Sequence, residues 1–263
     1  MSRHQPQPGR FEADLVHHAG VSSTGLYVHT LQLADIASGW SEWEAILGRS
    51  YLVMRYAFAR ILARLPFPML ELHPDSGGEF FNHFLMTYWR DAVPQLILSR
   101  SRPFCKNDNP IVEEKNASAV RASLGFDRLD TVAQTNLLNQ IYDRMWLLHN
   151  FLFPVMRLQH KVFRPSAAAV RTFDVPQSPF DRLWAASILP QARQTQLVEL
   201  RRRTNPRQLH DEVHALLDRL FRLPNAYPRV PQDGCKTMFR TALRQQDAEL
   251  LVTLPFEGQV PFR

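Results

Sequence analysis

The chain has 263 residues, of which 45% are hydrophobic and 21% are charged. This is enough apolar material for one large domain or two modest ones. No apolar run approaches the roughly 18 residues that a transmembrane helix needs, and segment 1–10 is polar and basic, without the apolar core of a signal peptide. Two cysteines, Cys105 and Cys235, cannot form a disulfide framework or a four-cysteine zinc site. Composition therefore argues against membrane proteins, secreted disulfide scaffolds and zinc-finger modules, and favours an intracellular protein.

The net charge of +6 is unevenly distributed. Residues 1–160 hold 15 Lys/Arg and 15 Asp/Glu, whereas residues 161–263 hold 16 Lys/Arg and 10 Asp/Glu. Fourteen of those 16 basic residues are arginines, whose planar fork suits phosphate. The second half therefore indicates a polyanionic partner such as nucleic acid. The alternative is a basic surface that binds no polyanion, because many soluble domains carry such a charge.

The first 153 residues alternate between strand and helix patterns. Five segments have the composition and alternation of strands: 11–18, 25–36, 40–47, 69–73 and 94–99. Four segments are predicted to be helices: 51–65, 80–89, 111–124 and 131–153. The predicted order up to residue 125 is β-β-β-α-β-α-β-α. This order predicts an α/β fold, a mixed sheet with helices packed on it.

Beyond residue 160 the chain is rich in proline and arginine. One amphipathic helix stands out over 208–222, so region 161–263 is predicted to be basic and helix-rich. His210 and His214 lie on this helix at i, i+4 spacing, which suits a shared metal ion. Asp211 stands where the zinc-protease motif has a glutamate directly after its first histidine, so the sequence assigns the pair no metal role.

Three acidic residues occupy unusual positions in this pattern. Asp14 lies inside the first strand between apolar neighbours, where a carboxylate is disfavoured. Asp75 ends the fourth strand beside a Gly-rich turn, and Glu113 lies in the first turn of a helix. Each has an ordinary explanation as a strand-edge ion pair, a turn former or a helix-start acid. If the three converge, their oxygens are ligands that suit Mg²⁺ or Mn²⁺, and two such ions can activate a phosphodiester.

Five motifs occur in the order found in the catalytic core of DDE transposases and retroviral integrases, which the chain resembles. They are FEADLVHH (11–18), with the first acid; LADIASGWSEWEAI (33–46), similar to the D-x-x-[ST]-G-[WY]-x-E hairpin; HPDSGGEF (73–80), with the second acid; SRSRPFCKNDNPIVEEKN (99–116), ending in V-E-x-x-N with the third acid; and QSPFDRL (177–183), similar to the T-P-x-x-R-L element of insertion-sequence transposases. The intervals between the acids, 60 and 37 residues, agree with that order.

The resemblance implies an RNase H-like fold for residues 1–160, with a five-stranded mixed sheet flanked by helices. It implies that Asp14, Asp75 and Glu113 are catalytic and hold two Mg²⁺ or Mn²⁺ ions for DNA end cleavage and strand transfer. It also implies DNA partners, transposon ends and target, a homo-oligomer assembled on DNA, no membrane partner and a place in the bacterial cytoplasm with the nucleoid. The implied DNA contacts are Asn116, Arg121, Lys115 and Arg102.

The chain also departs from the family pattern. Ser76 stands where an asparagine commonly follows the second acid, and Glu114 competes with Glu113 as the third acid. The first acid is residue 14, which leaves no room for the N-terminal helix-turn-helix region of whole transposases. One alternative is therefore a truncated, catalytically weak remnant that binds DNA or a partner subunit without strand transfer. Another is an RNase H-like nuclease that cuts RNA in a hybrid.

Overall fold

The computed structural model describes residues 7–75, 77–101, 109–164, 167–227 and 230–238. Its main sheet contains the five predicted strands: β1 (Arg10–His18), β2 (Val28–Asp35), β3 (Ser41–Leu47), β4 (Glu71–Pro74) and β5 (Ile97–Leu98). The strand order is β3-β2-β1-β4-β5. The first three strands pair antiparallel, and β4 joins β1 and β5 in parallel. This mixed sheet, flanked by helices, is the RNase H-like arrangement, so the predicted fold class is confirmed.

Helices connect the strands and continue beyond them. Their bounds are α1 (Tyr51–Arg64), α2 (His83–Ala92), α3 (Pro110–Lys115), a π-helical turn (Asn116–Arg121), α4 (Ala122–Leu124), α5 (Val132–Phe151), α6 (Pro179–Ala186), α7 (Gln191–Arg203), α8 (Pro206–Arg222) and a 3₁₀ turn (Gly234–Thr237). Local sequence explains where the long ones begin. Ser50 caps α1, and Thr131 with Gln134 forms a capping box at the start of α5. No helix in the described part of the chain is long and apolar enough to cross a membrane.

Helix α5 covers the open edge of the sheet at β3. Asn150 accepts a hydrogen bond from the Ser41 amide and donates one to the Ser41 carbonyl. Asn139 makes the same pair of bonds with Ala45. Because an edge strand exposes unpaired backbone groups, these two amides close the sheet on this side.

The SGW hairpin motif between β2 and β3 has a structural role. The buried Asp35 carboxylate accepts bonds from the Gly9 amide, at 2.8 Å, and from the Ser38 amide and hydroxyl, at 2.7 and 2.6 Å. Gly39 has a φ of +80°, which favours glycine in this tight turn. These contacts fix the hairpin, and the asparagine pairs of α5 then hold β3 in place.

One element of the C-terminal region was not predicted. A two-stranded hairpin, β6 (Leu158–Arg164) with β7 (Ala167–Phe173), precedes the three helices. The predicted boundary at residue 160 therefore falls inside a strand, and α5, which ends at Phe151, is the last helix before it. The helices expected after residue 160 are present as α6, α7 and α8. Their apolar residues, among them Leu183 and Leu220, join the same core cluster as the sheet.

Candidate active site

Two of the predicted acids lie beside each other, one on β1 and the other directly after the parallel strand β4. In the pairing of β1 with β4, Ala13 stands opposite Pro74, so the next residues, Asp14 and Asp75, lie at the same level. Asp14 accepts a hydrogen bond from the Leu15 amide at 2.8 Å. Asp75 follows the carboxyl end of β4 and accepts a bond from the Gly77 amide at 3.0 Å. Ligands of open α/β sheets bind at such strand ends.

The helix that carries the third acid is anchored to β1 by a buried carboxylate. Glu12, which is 3% exposed, accepts hydrogen bonds from the backbone amides of Ile111 at 2.7 Å and Val112 at 2.9 Å. These are first-turn amides of α3, where a carboxylate is favoured by the free N–H groups and the helix dipole. Glu12 was not among the predicted site residues, because its partners lie about a hundred residues away in the sequence. Its only signal is a charged residue inside an apolar strand.

Asn116 and Glu113 both lie beside Asp14. The Asn116 side-chain amide donates to Asp14 Oδ2 at 2.5 Å, and its own Oδ1 is buried without a hydrogen-bond partner. Glu113 is exposed, and the charge of Asp14 acts on it. The charge of Glu114 acts instead on Lys115 and Arg157. Of the two glutamates, Glu113 is thus the one that interacts electrostatically with Asp14.

Charge repulsion acts within two pairs of these carboxylates, Asp75 with Asp14 and Asp14 with Glu113. Burial raises the pKa of Asp14, and the charge of Asp75 raises it further. Burial raises the pKa of Asp75 and of Glu113, and the charge of Asp14 also raises that of Glu113. Cations would relieve this repulsion, and the donors are the hard oxygens that Mg²⁺ prefers. Among the described residues, however, no three His, Cys, Asp or Glu side chains lie close enough to hold one metal ion.

The predicted DNA contacts have different environments. The two terminal nitrogens of Arg121 donate to the carbonyls of His17, at 2.7 Å, and Gly125, at 3.1 Å, so its guanidinium joins the helix to β1. Lys115 is only 6% exposed, and burial lowers its pKa. The DNA contact of Lys115 stays a prediction, and it would require this side chain to move out of the fold. Arg102 lies outside the described residues.

Comparison with known proteins gives one sequence relative. No protein-family model matches the chain. A curated protein of Sinorhizobium fredii (strain NBRC 101917 / NGR234), described as uncharacterized protein y4rM, is 34% identical over 177 residues. The match covers 67% of this chain and 50% of the relative. The chain therefore spans about half the length of the curated relative it matches.

Two solved structures are similar to parts of the chain. One is the catalytic core domain of BIV integrase, with 16% identity, a TM-score of 0.33 and coverage of 41% of this chain and 64% of that chain. The other is the HTLV-2 integrase catalytic core domain, in a dimeric form and in complex with magnesium. It has 15% identity, a TM-score of 0.40 and coverage of 56% of this chain and 90% of that chain. The fold assignment itself rests on the strand order and directions described above.

Proposed function

We propose that the chain is the catalytic region of a DNA transposase or integrase. The observation that carries the proposal is the pairing of Asp14 on β1 with Asp75 at the end of the parallel strand β4, with Glu113 beside Asp14 on an anchored helix. The raised pKa of all three carboxyl groups is the electrostatic condition that bound cations would relieve. The ordered sequence motifs support the same function.

In this proposal Asp14, Asp75 and Glu113 would hold two Mg²⁺ or Mn²⁺ ions. When bound, the ions supply the activation of a water or DNA 3′-hydroxyl and the stabilisation of the leaving oxygen. Asn116 orients the Asp14 carboxylate through its 2.5 Å hydrogen bond. Glu12 holds the first turn of α3, which fixes the position of Glu113 relative to β1. The protein's part in phosphoryl transfer is then mostly positioning.

The proposed partners follow from this chemistry. They are the transposon ends and a target DNA, with the chain acting as a homo-oligomer in the bacterial cytoplasm, associated with the nucleoid. Asn116 remains the proposed contact with the DNA end, because it lies next to the acids. Arg121 is a proposed contact that would have to combine phosphate binding with its two backbone bonds.

A second candidate is a remnant that binds DNA or a partner subunit without strand transfer. One observation favours it: the described carboxylates do not form a group of three that could hold an ion. A further alternative is an RNase H-like nuclease, which would use the same fold and the same acids. It differs from the main proposal in its substrate, an RNA–DNA hybrid instead of DNA.

The first test is a Mn²⁺-dependent disintegration assay on branched DNA with the full chain. Asp75→Asn should reduce strand rejoining by about a hundredfold or more, since a metal contact to a reacting phosphate contributes several kcal/mol. Asp91→Asn, which changes an exposed acid of α2, is the matched control and should keep activity. Rejoining that persists in Asp75→Asn would refute the site. A folded wild-type chain that never rejoins DNA would favour the remnant, and cleavage of an RNA–DNA hybrid alone would favour the nuclease.

A further inference from the structure

Helix α8 presents two histidines on the side away from the core. The helix is 17 residues long, and it buries Val213, Leu216, Leu217 and Leu220. His210 and His214 are both exposed, one turn apart. Their Nε2 atoms are 3.1 Å apart, and their ring centroids are 4.3 Å apart. The two facing ring nitrogens are therefore within hydrogen-bond distance, on a helix that packing holds in place.

This separation fits two ligands of one metal ion. Imidazole nitrogens lie about 2.0–2.1 Å from Zn²⁺. Two such nitrogens on one ion are therefore about 2.9 Å apart at a right angle and about 3.4 Å apart at a tetrahedral angle. The observed 3.1 Å lies between these values. A metal ion could therefore bind both nitrogens with little movement of either ring.

We propose that His210 and His214 form a binding site for a late first-row divalent transition metal ion such as Zn²⁺, Ni²⁺ or Cu²⁺. Neutral imidazole suits these ions, whereas Mg²⁺ and Ca²⁺ prefer oxygen ligands. Asp211 supports the geometry, because its Oδ1 lies 3.6 Å from His210 Nδ1. A carboxylate near the second ring nitrogen can orient a metal-binding histidine and increase its basicity.

The site is open and chemically distinct from the carboxylates. No third His, Cys, Asp or Glu joins the pair in the part of the chain that the structure describes. Water or a ligand from another molecule would therefore fill the remaining coordination positions. The inference does not depend on the proposed DNA chemistry, which uses oxygen ligands on β1, β4 and α3.

The test is Zn²⁺ binding by the tag-free full chain, measured in competition with a chromogenic chelator. We expect a wild-type binding component that weakens about tenfold or more in His210→Asn and in His214→Asn, because each change removes the second ligand of a chelate. His83→Asn is the matched control, since it removes an exposed histidine from α2. It should bind Zn²⁺ as the wild type does.

Two further measurements make the result specific. Binding should weaken as the pH is lowered, because protons compete with the metal ion for the imidazole nitrogens. Excess Mg²⁺ should leave the chelator titration unchanged. The proposal is overturned if the wild type binds no Zn²⁺, if either variant binds like the wild type, or if His83→Asn causes an equal loss. Far-UV circular dichroism checks that each variant keeps its helices.

Discussion

The Glu12 carboxylate connects the central strand to the helix that carries Glu113. It lies two residues before Asp14 on the same face of β1, and it accepts the amides of Ile111 and Val112. Buried amides that lose their acceptor cost roughly 1–3 kcal/mol. The position of the third acid thus depends on a residue that is not itself among the three.

Glu12→Ala should therefore loosen the first turn of α3. We expect faster hydrogen exchange at the Ile111 and Val112 amides and a loss of about 1–3 kcal/mol in the free energy of unfolding. Glu113→Gln is the control, because it changes the exposed acid and keeps the Glu12 contacts. Unchanged exchange at both amides in Glu12→Ala would show that the contact does not hold the helix.

Asp14 should cost stability when no metal is bound. Burial and the charge of Asp75 raise its pKa, so the folded protein retains a proton at pH values where the unfolded chain has released it. The resulting loss in the free energy of unfolding is complete above the pKa of Asp14 in the folded protein. It is absent below the pKa of the unfolded chain, about 3.9. Stability due to this group therefore falls as pH rises through that interval.

Asp14→Asn removes this charge and keeps an acceptor for Asn116. In buffer at pH 7 that contains a metal chelator, we expect urea denaturation to give a free energy of unfolding about 0.5–2 kcal/mol higher for the variant than for the wild type. The difference should shrink as the pH is lowered toward the unfolded-state pKa. Asp91→Asn, at an exposed position, should show no such gain. A less stable Asp14→Asn protein at pH 7 would contradict the electrostatic account.

At the scale of elements, one buried glutamate links β3, α1 and α5. Glu42 is fully buried, and it accepts hydrogen bonds from the indoles of Trp40 and Trp146, both at 2.8 Å. Its other oxygen accepts from Arg64 at 2.6 Å. Glu42, the final glutamate of the D-x-x-[ST]-G-[WY]-x-E motif, is thus part of a buried ionic network. The network lies at β3, which flanks β2 on the side opposite β1.

Glu42→Ala should destabilise the protein by about 3–5 kcal/mol, because the change leaves Arg64 buried without this counter-charge. Urea denaturation at pH 7 measures the effect. Asp91→Ala breaks the exposed ion pair with Arg90 and should cost about 0.5 kcal/mol or less. A Glu42→Ala cost no larger than that of Asp91→Ala would mean that the network contributes little.

Local patterns predicted most of the elements but few of their contacts. Alternating and helical spacing gave β1 to β4, α1 and α5 to within about three residues at most of their ends. The 80–89 helix begins later, at His83, because Asn82 caps it. β5 shrinks to two residues. The hairpin of β6 and β7 was not predicted. Its apolar residues Val162 and Val170 are exposed, so the sequence lacks the alternation of buried apolar and exposed polar residues that identifies a strand. The asparagines of α5 gave no signal, since their partners on β3 are distant in sequence.

At the scale of the whole molecule, the C-terminal helices share the core of the sheet domain. Arg144 of α5 pairs with Glu212 of α8 at 3.1 Å, and the buried residues of α8 belong to the core cluster. The QSPFDRL motif (177–183) connects α6 to the β6–β7 hairpin. Ser178 caps α6, and Arg182 pairs with Asp174 at the end of the β6–β7 hairpin. The division at residue 160, suggested by the charge asymmetry, stays a prediction, and buried residues from both parts belong to one core cluster.

The parallel register of β1 and β4 has a consequence for how this chain can vary. Because Ala13 faces Pro74, the polypeptide leaves the site after Asp14 and returns beside it at Asp75. It leaves again and comes back along α3 to Glu113. Each of the two connecting segments therefore begins and ends at the site. Residues inserted in the turns of these segments that lie far from the site would lengthen the segment without moving the acids. One residue inserted within β1 or β4 would instead shift Asp14 relative to Asp75.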